Sequence, residues 1–80
     1  MKIEELIRWA KNNVGLKQAD IAKEIGYERS ILSKWKEDRF EEKTLKEAKS
    51  LLIGAVDKRI DEIILDWRKI RAEIREDIER

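Results

Sequence analysis

The chain contains no cysteine, no histidine and no proline, and only three of its 80 residues are glycine. Without cysteine there is no disulfide framework, no thiolate nucleophile and no thiolate metal site. Without histidine the commonest general base, the commonest metal ligand and the usual switch near neutral pH are missing together. Carboxylates are abundant, but none has a His or Cys to pair with, and no glycine-rich phosphate loop exists. The expectation is therefore no enzyme, no cofactor, no metal and no small-molecule substrate. No stretch reaches the roughly 18 apolar residues that a membrane span needs, and no signal peptide is visible. A cytoplasmic protein with no membrane partner is the reading.

What is present is charge and helix-forming apolar residues. Charged residues make up 46% of the chain and hydrophobic ones 41%, a balance suited to helices with wide solvated faces. Lysine and arginine number 19 against 18 acidic residues, a net of +1. The first half carries a slight positive excess and the second a slight negative one, too weak a bias for a non-specific nucleic-acid coat.

Apolar spacing places the elements. Ile3, Leu6, Ile7 and Ala10 recur at helical intervals, with Glu4 and Glu5 suited to a positive N-terminus and Asn12, Asn13 and Gly15 as stop signals. Ala19, Ala22 and Ile25, with Ile21 beside them, predict a helix over Gln18–Ile25 that Gly26 closes. Ile31, Leu32 and Trp35 predict another over Glu28–Glu37, and Leu45, Ala48, Leu51 and Leu52 a fourth over Glu42–Leu52. Beyond Gly54 the pattern Val56, Ile60, Ile63, Trp67, Ile70, Ile74, Ile78 runs close to a heptad seam. A glycine costs a helix only about 1 kcal/mol. A break at Gly54 is nevertheless expected, because an unbroken helix would leave the small domain poorly covered. The chain then reads as all-α: a bundle of about four short helices over residues 1–53, and one long amphipathic helix over 54–80. The crowded stretch Ile60, Ile63, Ile64, Leu65 and Trp67 is expected to dock on the bundle, and the long helix of the same chain or of a partner to cover Leu6 and Trp9. Ile63, Trp67, Ile70, Ile74 and Ile78 are the candidate homodimer contacts, since small helical domains often need oligomerisation.

The informative stretch is Gly15 to Trp35. Two short helices meet at Gly26, where a tight or left-handed turn is taken by glycine with least strain. Ala22 is small enough for the helices to cross closely, and Leu32 and Trp35 point inward from the second of them. Glu28, Arg29, Ser30, Ser33 and Lys34 are left as a polar outer surface suited to a DNA major groove.

The order Gly-Leu-x-Gln-x-x-Ile-Ala-x-x-Ile-Gly followed by Ser-x-Leu-Ser-x-Trp resembles the lambda-repressor-like (Cro, XRE) helix-turn-helix family, over about Ile7 to Leu52. Two positions depart from the family. Lys17 stands where a Thr or Ser cap is common, which weakens the cap of the second helix, and Glu37-Asp38 replaces the glycine usual after the third. The resemblance implies double-stranded DNA as partner and a dimeric regulator, bacterial, archaeal or phage-encoded. It implies that Gln18 meets a phosphate and that Arg29, Ser30 and Lys34 face base edges, with Arg29 on guanine. Lys17, Ser33, Lys36, Arg39 and Lys43 then lie nearer the backbone. Glu28 either accepts from a cytosine amino group or favours the helix N-terminus. Two alternatives stay open: a protein-interaction adaptor that docks through the same fold and the C-terminal helix, or the DNA-binding end of a larger recombination or transposition protein.

Overall fold

The structure, a computed structural model, describes residues 1–37 and 40–80. It is all-α: α1 is Ile3–Val14, α2 Gln18–Ile25, α3 Arg29–Lys36 and α4 Glu42–Glu79. Three short helices therefore precede one helix of 38 residues. Among the described residues no helix is long and apolar enough to cross a membrane.

The first two helices end by the same device. Gly15 and Gly26 adopt φ of 65° and 76°, a left-handed conformation that an L side chain resists and glycine does not. Past Gly15, the Leu16 N–H reaches back to the Ala10 carbonyl at 3.2 Å; past Gly26, the Tyr27 N–H reaches the Ala22 carbonyl at 3.0 Å. Both bonds satisfy carbonyls that a helix end would otherwise leave orphaned. Leu16 is thereby turned into the core, where it is buried. Tyr27 is turned onto Trp35, edge to face, with ring centroids 5.5 Å apart. The third helix ends differently: Glu37 stays right-handed, at φ −70°.

The core is built from Ile3, Ile7 and Ala10 of α1, Leu16, Ile21 and Ala22 of α2 and the turn before it, Leu32 and Trp35 of α3, and Ala48, Leu52, Ala55 and Val56 of α4. Ile21 and Ala22 form the buried face of α2, while Ala19, expected inward, is exposed. Leu32 is wholly buried, and its truncation to alanine would cost about 2–5 kcal/mol. Two polar contacts tie α4 to the front of the molecule. Arg59 donates from Nε to the Val14 carbonyl at 3.0 Å, placing a cation at the negative end of α1. Lys58 pairs with Glu24 of α2 at 2.8 Å; this hydrogen bond and the charge of Glu24 raise the Lys58 ammonium pKa above its ordinary value.

Two expectations about α4 are corrected. Gly54 does not break the helix, which runs through it from Glu42 to Glu79. Gly54 is exposed, with nothing within 4 Å of where a Cβ would stand, while Leu52, Ala55 and Val56 on either side are buried. Packing before and after the glycine outweighs its propensity cost of about 1 kcal/mol. The core thus draws on residues from both sides of the 53/54 boundary. The crowded stretch does not dock either: Ile60 packs against the core, but every residue from Asp61 onward is exposed. Leu6 is covered at the core edge, while Trp9 remains 42% exposed. The small domain is finished by Ile60, and the rest of α4 projects beyond it, giving a molecule 59 Å long and 22 by 18 Å across.

Candidate nucleic-acid interface

The turn Gly26-Tyr27-Glu28 separates α2 from α3, and a single side chain fixes their mutual position from the far end. Gln18, first residue of α2, donates from Nε2 to the Ser33 hydroxyl at 3.0 Å and to the Arg29 carbonyl at 3.4 Å. The clasp joins residues 15 positions apart. With both amide hydrogens so directed, Gln18 positions α3. The hydroxyl of Ser33, which accepts from Gln18, keeps its own proton to donate outward.

Lys17, just before α2, supplies no side-chain cap; an ammonium has no acceptor. The helix is capped from inside instead, by the Asp20 carboxylate accepting from the Lys17 N–H at 3.2 Å. The Lys17 side chain is left free on the surface. Beside it runs a groove of about 540 Å³ lined by Arg8 and Lys11 of α1, Lys17, Gln18 and Ala19 at the start of α2, and Arg29 and Lys36 of α3, with Glu4 and Ile7. Among the described residues five cations thus share one groove with one carboxylate, and that carboxylate is paired with Arg8 at 3.2 Å. A row of cations spaced along an open channel suits a polyanion whose charges are themselves spaced, as phosphates are along a nucleic-acid strand.

Of the residues singled out from sequence, the structure brings Lys17, Gln18, Arg29, Ser33 and Lys36 together around this groove. Ser30 and Lys34 are exposed on α3, and Glu28 is exposed at its start without a side-chain cap bond. Lys43 is exposed in the first turn of α4, while Arg39 lies outside the described residues. Trp35 is buried, in keeping with a core role. Sequence reasoning missed Arg8 and Lys11. Both lie on α1, outside Gly15–Trp35, three apart and each one residue past a core position, Ile7 and Ala10.

The second surface is on α4. Ile63, Trp67, Ile70, Ile74 and Ile78 are 39, 53, 48, 46 and 77% exposed, a continuous apolar stripe on the projecting half of the helix. Ile53, 53% exposed, extends it back beside the domain. No family model, no curated protein and no solved structure matches this chain.

Proposed function

We propose that the chain is a sequence-specific double-stranded DNA-binding protein, a dimeric transcriptional regulator of phage-repressor type, with α3 as the helix that enters the major groove. The observation that carries this reading is the convergence of Arg8, Lys11, Lys17, Arg29 and Lys36 on one groove beside the Gln18–Ser33 clasp. Arg8, Lys11, Lys17 and Lys36 hold the phosphate backbone while Arg29, Ser30 and Lys34 meet base edges, Arg29 offering guanine a bidentate fork. Ser33 donates toward the backbone with the proton left free by Gln18.

The test is a salt-titrated binding assay on duplex DNA. Each phosphate contact contributes a slope of about −0.9 in log K against log salt, so the four groove cations other than Arg29, fully engaged, give about −3.6 per protomer. A slope of that order, with a preferred sequence emerging from selection on random duplexes, supports the reading. Absence of binding at low salt overturns it and favours the adaptor reading, for which the exposed apolar stripe of α4 is the specific support.

A further inference from the structure

The projecting half of α4 has no partner within its own chain, and its seam residues fall at alternating intervals of four and three, Ile60, Ile63, Trp67, Ile70 and Ile74. That spacing is the one at which a helix buries its stripe against another helix of the same repeat. We propose that this stripe pairs with a second copy of the chain as a parallel, in-register two-helix coil, with both three-helix heads at the same end.

Charge decides the orientation. With Ile60, Trp67 and Ile74 in one set of core positions and Ile63 and Ile70 in the other, Asp66 and Arg71 occupy the flanks on opposite edges of the seam, and Glu73 flanks the same edge as Asp66. A parallel in-register pair sets Asp66 of each copy against Arg71 of the second copy, twice by symmetry. An antiparallel pair is confined to one register. Val56, in line with the stripe, faces the protein's own core together with Ala48, Leu52 and Ala55, so the unbroken seam free to pair starts at Ile60. That register stacks Trp67 on Ile70 of the second copy and sets Asp66 against Glu73 of the second copy, twice. Over Ile60–Ile74 opposite charges flank the parallel arrangement and like charges the antiparallel one, which selects the parallel pair; Asp77, next in the set of Ile63 and Ile70, meets its own copy only beyond that segment.

The heads set where it begins. At 100° per residue the exposed stripe is rotated by roughly a fifth of a turn from the face that Ala48, Leu52 and Ala55 bury, while Val56, also buried, lies in line with the stripe. Each head therefore closes the seam at Val56, and the pairing runs from Ile60 away from the heads. This arrangement does not depend on what α3 binds.

The chain contains no cysteine, so an introduced one is a unique reporter. Under mild oxidation the variant Ile70→Cys is expected to become covalent dimer, and an equimolar mixture of Ile63→Cys with mass-tagged Ile74→Cys is expected to give no mixed disulfide. A mixed 63–74 disulfide means antiparallel pairing and overturns the proposal, as does a monomeric mass for the unmodified chain. Charge reversal supplies a second reading that spares the core. Asp66→Arg alone is expected to weaken dimerisation at least several-fold at low salt, and the double variant Asp66→Arg, Arg71→Asp to restore it. Equal dimerisation in all three chains overturns the charge argument. DNA affinity measured on the same samples separates failure of the pairing from failure of the DNA reading.

Discussion

The side-chain amide of Gln18 lies 3.0 Å from the hydroxyl of Ser33, and this bond spans the entry of α2 and the middle of α3, the two elements of the proposed reader. It therefore links stability to recognition through one pair of atoms.

Replacing Gln18 with alanine removes the clasp and its second bond to the Arg29 carbonyl. A hydrogen bond of this kind contributes about 0.5–1.5 kcal/mol, and the site's exposure puts the loss at the lower end. Urea denaturation should show that small loss. The same variant should lose DNA affinity by more than its stability loss accounts for, because α3 is no longer held at one angle to the groove cations. Ser33→Ala should reproduce the stability loss and also remove the outward donor. An affinity loss no larger than that of a surface alanine elsewhere would mean that the clasp is structural only.

The cations divide by role. Arg29→Ala is expected to cost about 1–3 kcal/mol of discrimination between preferred and altered sequence. Arg8→Ala and Lys11→Ala should instead weaken binding to all sequences alike, each reducing the salt slope by about one. Binding measured on matched and scrambled duplexes at several salt concentrations distinguishes the two patterns. Uniform loss on Arg29→Ala would move that residue from the bases to the backbone.

Much of this organisation could be read from the residues. The helices α1 to α3, the turn at Gly26, and the inward Leu32 and Trp35 all followed from periodicity and from the demand for a left-handed residue, because local chemistry decides them. Two kinds of feature escaped. Arg8 and Lys11 became part of the candidate site only when the fold laid α1 beside the start of α2, a relation with no local signature. At Gly54 the need to cover the small domain pointed to a break, but burial of Leu52 on one side and of Ala55 and Val56 on the other decided for continuity. The end of docking at Ile60 was equally hidden. Apolar spacing is the same for a stripe that meets its own domain and one that projects past it, and only the size of the head sets where one becomes the other.

Projection of the stripe makes oligomeric state sensitive to charge there. Ile70→Lys combined with Ile74→Lys places two ammonium groups on a seam that is about half exposed in the single chain. Light scattering should then report a monomer at concentrations where the parent chain is dimeric, with far-UV circular dichroism changing little for the head. Unchanged mass would remove these positions from the interface.

The glycines make opposite predictions about one substitution. Gly26 holds φ at 76° and has open space around its missing Cβ, so Gly26→Ala meets no clash and isolates backbone strain, about 1–2 kcal/mol of destabilisation. Gly54 is helical, and nothing lies within 4 Å of its missing Cβ either. There alanine gains up to about 1 kcal/mol of helix propensity. Urea denaturation of the two variants should therefore move the midpoint in opposite directions. The Gly54→Ala result bears on more than stability. A helix continuous through residue 54 transmits the position of the head to the stripe as a rigid rod, and alanine should leave both DNA binding and dimer mass intact. If Gly54→Ala instead destabilises the chain, the helix bends or opens at that residue in solution, and the head and the projecting stripe move independently.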